Sequence, residues 1–420
     1  MKRITAALSI FALCASAQAN AAATIVAWGD NTYGQASVPA DLNGATAIAA
    51  GGSHTVALKN DGSVVAWGDN TWGQATVPTD LAGVMAISAG GFHTVALRSN
   101  GTVVAWGGGT TTECAPVNCG QSIVPAGLSG VTAISAGRVH TLALKSDGTV
   151  VAWGATGYDV GQTSVPPGLS SVKAIAAGAY HSIALKNDGT VVAWGWNDWG
   201  QTNVPDGLNA VRALAPGFRF SIVLKSDGTV TGWGGEGQAD IPAGLSSVTA
   251  IASNFYDVQA LKSDGTVATW GINALGAGNT PPGLSGVTAI SAGWFHTVAL
   301  VAPPVTAVAI DIRPRSLSNT IHLQSQGAVR VAILSSASFD ATQVDPASVT
   351  LAGAFVRLKA KGKKYACSAH DVNSDGLADL FCRVETAQLE LEPGDTTAVL
   401  EGVTFGGQHV RGEDRVRIVP

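Results

Sequence analysis

The sequence predicts an all-β chain: a seven-bladed β-propeller closed by pairing of the first and last strands of its repeat region, followed by a small β-sandwich. Three observations carry this. A Trp-Gly pair recurs at Trp28, Trp67, Trp106, Trp153, Trp194, Trp233 and Trp270, about 40 residues apart, the period of a repeat architecture. A tight Gly turn precedes six of the seven pairs. The pair at Trp28 has neither turn nor strand before it, and its missing partner stands at the far end of the array.

One unit can be followed from Gly168. "GLSSVKAIAAG" carries a first strand and "YHSIALK" a second; "NDG" is the turn, "TVVAWG" a third strand, and "WNDWGQTNVP" a loop with a short fourth. The strands are rich in Val, Ile and Ala, which suits burial on both faces. The turn recurs at Asp61-Gly62, Asn100-Gly101, Asp147-Gly148, Asp188-Gly189, Asp227-Gly228 and Asp264-Gly265, pairs that tolerate positive φ. Six hairpins therefore serve seven Trp-Gly strands. The strand left over is "HTVALV", ending just before Pro303-Pro304. Residues 24–28 are expected to pair antiparallel with it, which requires a closed ring and removes two exposed sheet edges.

Three segments follow: 1–19, 20–302 and 303–420. Lys2 and Arg3, an apolar run over residues 4–15, and Ala17-Gln18-Ala19 form a secretory signal too short to span a bilayer. No later run reads as a membrane span, so the expected location is secreted, extracellular or periplasmic. Cys14 belongs to the signal. Cys114 with Cys119, and Cys367 with Cys382, read as two local disulfides in an oxidising compartment. Residues 20–302 hold 10 Lys and Arg against 16 Asp and Glu, an acidic body that argues against nucleic acid as a partner.

"VVAWGDNTWGQATVP…GVMAISAGGFHTVALRSNGTVVAWG" resembles the repeat of the regulator of chromosome condensation superfamily, closest to the secreted β-lactamase inhibitor protein II type. The resemblance covers residues 24–301. It implies a seven-bladed propeller that binds another protein.

Comparing the repeats with one another separates framework from free positions. The Trp of each Trp-Gly pair is fixed and reads as packing between blades. His54, His93, His140, His181 and His296 occupy another near-fixed slot and are expected to hydrogen-bond neighbouring backbone; Phe220 and Asp257 replace them in the fifth and sixth repeats. Two positions before that slot are free: Phe92, Tyr180, Arg219, Tyr256 and Phe295 in one, Arg138, Phe218, Phe255 and Trp294 in the other. A third free position, in the loop after Trp-Gly, holds Tyr33, Trp72, Val160, Trp199, Glu236 and Leu275. Aromatic and Arg residues in variable loops point to a contact surface, against the plainer reading of loop packed on loop. The resemblance implies that partner contacts use these same slots, marking Tyr33, Trp72, Phe92, Tyr180, Trp199, Tyr256 and Phe295. Trp196, Phe218, Arg219, Phe255 and Trp294 widen the patch. The third repeat departs from the pattern: "GGTTTECAPVNCGQ" is longer, carries Cys114 and Cys119, and replaces an aromatic slot.

No His-Glu-x-x-His, nucleophile elbow or phosphate loop is present. A carboxylate pair would have to come from Asp30, Asp69, Asp159, Asp198 or Asp257. The expected function is that of an exported, non-enzymatic protein binding a protein partner. Its rivals are an inhibitor of a β-lactamase or penicillin-binding protein, and a glycan-binding or glycan-cleaving propeller.

In the last segment, "VTAVAIDIRP", "GAVRVAILSS", "SVTLAG", "FVRLKAKGKKY", "DLFCRVE", "AVLEGVTF" and "RVRIVP" read as the strands of a sandwich. "DVNSDGLAD" matches the first nine positions of an EF-hand-type loop: side-chain oxygens from Asp371, Asn373, Asp375 and Asp379, the Leu377 carbonyl, and Gly376 at the sharp turn. A structural Ca2+ is expected there. The twelfth position is Cys382, with Glu385 the nearest replacement ligand. Arg357, Lys359, Lys361, Lys363 and Lys364 alternate as a solvated face or a contact for an anionic cell surface.

Overall fold

The computed structural model describes residues 23–111, 119–235, 237–314, 316, 318–358 and 364–419. The expected signal segment, Cys114, Glu236, Lys359, Lys361 and Lys363 lie outside these residues. The chain divides into two units, Ala23–Ala302 and Pro303–Pro420.

In the first unit each repeat folds as an antiparallel three-stranded sheet. In the fourth, Val172–Ala177 pairs with His181–Lys186, which pairs with Val191–Gly195. The Asp-Gly turn sets this register. Gly189 takes φ 87°, and the Thr190 amide donates to Asp188 Oδ1 at 2.9 Å. The short fourth strand does not form. Asn197 accepts from the Thr202 amide, its side chain donates to Asn203, and tight turns at Gly200 and Asn203 fold the segment on itself, leaving no ladder to extend.

Six such sheets are each built from consecutive strands, and the seventh is not. It places His296–Val301 between Val287–Ala292 and Thr24–Gly29, with Ile25 opposite Leu300 and Ala27 opposite Val298. Both ends of the repeat region meet in one sheet.

The apolar core of this unit is a series of clusters, each drawn from two successive sheets. Trp106 packs with Val56 and Leu58 of the first sheet and Ile87 and Ala96 of the second. Trp67 packs with Ile48 and Ala57 of the first sheet and Val298 and Leu300 of the seventh. The other Trp of the Trp-Gly pairs do the same between their own neighbours. Burying the indole removes a large apolar area from water, and its one donor needs an acceptor. Trp67, Trp106, Trp153, Trp194, Trp233 and Trp270 give Nε1–H to the backbone carbonyls of Gln35, Gln74, Gln121, Gln162, Gln201 and Gln238.

The histidines correct the expectation of backbone partners. His54 Nε2 lies 2.9 Å from Thr94 Oγ1 of the next sheet; His93 meets Thr141, His140 meets Ser182, and His181 meets Ser221 in the same way. Each hydroxyl passes its own proton to a Gln backbone carbonyl, the one that also receives the Trp indole. The partner is a hydroxyl because that carbonyl is already engaged one sheet on.

The second unit contains a five-stranded and a four-stranded sheet around one core. Val331, Ile333 and Val384 of the four-stranded sheet share it with Leu351, Ala398, Leu400 and Val410 of the other. Cys367 and Cys382, directly opposite on neighbouring strands, are bonded. Strand His409–Arg415 escapes the sequence reading because only Val410 and Gly412 turn inward among polar neighbours.

Candidate functional site

One cavity is lined by all seven sheets, through the ends of their first strands and the residue that follows, a glycine in six sheets and Asn254 in the sixth. The wall is small side chain and backbone. Behind it stand the histidines: a Cβ on Gly51 would lie 2.3 Å from His54 Cε1, and one on Gly137 2.4 Å from His140 Cε1. At its mouth the wall changes character, with Arg138, Phe255 and Trp294.

These three come from the free slot two places before the histidine position, and the aromatic side chains of both free slots converge there. Phe92 meets Trp294 edge-on with ring centroids 5.0 Å apart; Trp294 stacks on Phe255 at 4.8 Å and 16°. Phe255 meets Phe218 at 4.9 Å, Phe218 meets Trp196 at 5.6 Å, and Trp196 meets Tyr180 at 5.8 Å. Tyr256 and Phe295 join from the outer slot. The reversals that carry these rings are pinned by backbone bonds from the following loops to the carbonyls of Phe92, Tyr180, Tyr256 and Phe295. Eight of the twelve expected contact residues thus form one continuous cluster of half-buried rings.

The other four stand differently. Arg219 lies over Trp199 at 4.2 Å and over Phe218 at 5.0 Å, which ties the loop-slot Trp199 to the cluster. Tyr33 and Trp72 make no ring contact among the described residues, and Tyr33 is 57% exposed. Their loops are nonetheless rigid at the backbone. The amides of Tyr33, Trp72 and Trp199 each donate to the side-chain carbonyl of a buried Gln: Gln35, Gln74 and Gln201. The repeated Gln is a hub that the sequence reading passed over, although it follows the loop-slot residue by two positions in every loop where it occurs.

Arg138, in the same free slot as Phe255 and Trp294, belongs to the site although it lies outside the expected contact set. It is half-buried, donates to the Tyr180 hydroxyl, and places its guanidinium 5.2 Å from the Tyr180 ring and 5.5 Å from that of Trp294. Burial pushes the Tyr180 phenol up, against the opposing pull of Arg138.

Among the described residues no three His, Cys, Asp or Glu side chains are placed to hold a metal ion. Asp30, Asp69 and Asp159 accept hydrogen bonds from their own loops. Asp257 is buried, accepts from the Asn273 amide, and is pushed up by burial.

The turn at residues 371–379 departs from the expected ligand set. Asp379 is fully buried and accepts the Ser335 amide at 2.8 Å and the Val372 amide at 2.9 Å. Asp371, Asn373 and Asp375 are exposed, and Asp371 accepts the amides of Ser374, Asp375 and Gly376. Cys382 is in its disulfide, and Glu385 pairs with Arg357 at 3.0 Å. Of the expected ligand side chains, Asp379 is thus turned inward, while Asp371, Asn373 and Asp375 stand at the surface. Cys119 is buried and disulfide-bonded.

Residues 45–74, 85–111, 131–159 and 172–201 match the Regulator of chromosome condensation (RCC1) repeat. Among solved structures the chain is similar to yeast RCC1 (Prp20) bound to Kap60, at 20% identity and TM-score 0.58, covering 71% of this chain and 94% of that one. It is also similar to Prp20p of Saccharomyces cerevisiae, a protein described for its binding to Gsp1p and histones (20% identity, TM-score 0.55, 68% of this chain and 93% of that one). Human WBSCR16 gives 20% identity and TM-score 0.53 over 66% of this chain and 99% of its own. No curated protein matches the sequence. At these identities the likeness is one of propeller fold; the repeat match covers four segments, and the seven three-stranded sheets fit seven blades.

Proposed function

We propose that this chain is an exported, non-enzymatic binding protein: a closed seven-bladed propeller that docks a protein partner on its aromatic end. The observation that carries the reading is the unbroken run of ring contacts from Phe92 through Trp294 and Phe255 to Tyr180, built from loops of five sheets. A rigid scaffold that lifts half-buried aromatic and Arg side chains into one patch has the composition of a binding hot spot. The meeting of both ends of the repeat region in the seventh sheet supports closure, because it leaves neither half-hairpin unpaired.

Affinity capture from the secreted fraction of the producing cells tests this. Wild type retains a specific protein, and Trp294→Ala with Phe255→Ala loses it; equal recovery by both removes the proposed face. The narrower form of the reading is inhibition of a β-lactamase or penicillin-binding protein, tested by hydrolysis of a chromogenic cephalosporin. A separate structural proposal places calcium on the exposed Asp371, Asn373 and Asp375.

A further inference from the structure

We propose that the segment received by this face is acidic and presents a side-chain carboxylate to Arg138 at the cavity mouth. The inference rests on the protein-binding reading and names the partner's chemistry.

Arg138 is a cation without an anion. Among the described residues its one hydrogen bond goes to the Tyr180 hydroxyl, and no carboxylate pairs with it. A guanidinium carries five N–H donors in a planar fork. The rest of that fork has no acceptor among the described residues and stays open to solvent at a half-buried position, within reach of an incoming group. Here the surroundings are rings. Tyr180, Trp294 and Phe255 lie 5.2, 5.5 and 6.0 Å from the guanidinium carbon. They flank the guanidinium and hold the fork in place, and a carboxylate is the group such a fork binds in bidentate fashion.

The geometry favours a peptide over a sugar. A sugar stacks on a free ring face, but the central rings are taken up by one another. Trp294 is stacked by Phe255, met edge-on by Phe92, and overlain by Arg138. What the patch leaves available is an apolar, uneven surface around one cation, suited to an acidic side chain flanked by apolar ones.

Calorimetric titration of the full chain tests this with two acetylated, amidated tripeptides, Phe-Glu-Phe and Phe-Gln-Phe. The Glu peptide is expected to bind about tenfold tighter. Arg138→Gln removes the preference, as does Arg138→Met, a second variant that keeps the packed stem; Arg138→Lys retains part of it. Equal binding of the two peptides to wild type, or a preference that survives in Arg138→Gln, overturns the acidic segment and leaves the docking face standing. Binding of neither peptide overturns both. Sodium glucuronate is the third arm: if it binds as tightly as the Glu peptide and Arg138→Gln abolishes that, the source is an acidic glycan and the peptide is overturned.

Discussion

His296 Nε2 lies 3.0 Å from the hydroxyl of Thr55, 241 residues earlier in the chain. This is the same bond that links His54 to Thr94 one repeat apart. The joint between the ends of the array is thus built like the joints within it, and it should fail under the same conditions.

Acid is one such condition. Burial holds His54, His93 and His181 down to about 3, and His140 and His296 to about 4, against an ordinary 6.5. Above 6.5 these rings are neutral whether the chain is folded or not. Below it the unfolded chain takes up protons that the folded chain refuses, so stability is full at neutral pH and falls as pH drops toward 4. Each histidine contributes about 1.4 kcal/mol per pH unit in that window. Tm is expected to decline steadily across it, and less steeply in His93→Gln. A flat profile would refute the account.

Trp67 tests the joint itself. It is buried against Val298 and Leu300 of the seventh sheet and gives its indole proton to Gln35. Trp67→Ala is expected to cost about 3–5 kcal/mol in urea unfolding and to expose residues 24–29 to proteolysis. Met85→Ala, at a position 55% exposed, should change stability by less than about 0.5 kcal/mol. Similar losses for the two would remove the joint's importance.

The Cys367–Cys382 bond closes a loop with a separation of 15 residues. Replacing both with Ala is expected to lower the stability of the second unit by about 3 kcal/mol, chiefly by freeing the unfolded chain. Denaturant unfolding with and without reductant reads it; insensitivity of the wild type to reductant would contradict it.

Two aspartates of one turn should separate packing from calcium. Asp379 is buried on two amides, so Asp379→Asn should lower Tm in EDTA and in calcium alike. Exposed Asp371 should matter differently: if calcium sits on the turn, millimolar calcium raises Tm in wild type and not in Asp371→Asn. An identical wild-type Tm in calcium and EDTA retires the ion.

Much of the fold was written in local chemistry. The Asp-Gly turns, the apolar strands and the count of unmatched arms need only nearest-neighbour rules, and the pairing of Ile25 with Leu300 follows from them. Partners one repeat away were harder to read. The signal for the histidine bonds was present as a hydroxyl residue directly after each histidine, but it serves the histidine of the preceding repeat. The exception fits: in the sixth repeat that hydroxyl is Val258, and the fifth repeat's histidine is Phe220, the two packed in one apolar cluster. Arg138 was missed because a lone cation in a variable slot normally faces water. Only the convergence of rings from other repeats gives it a different meaning.

The bare wall of the cavity has a lasting effect on what this scaffold can become. With an imidazole behind Gly51 and Gly137 and a neighbouring carbonyl 2.7 and 2.6 Å from any added methyl, those positions admit no side chain while a histidine stands behind them. Innovation is confined to the loops at the ends. A lineage of such proteins would change its targets by rewriting those loops while the bore stayed the same.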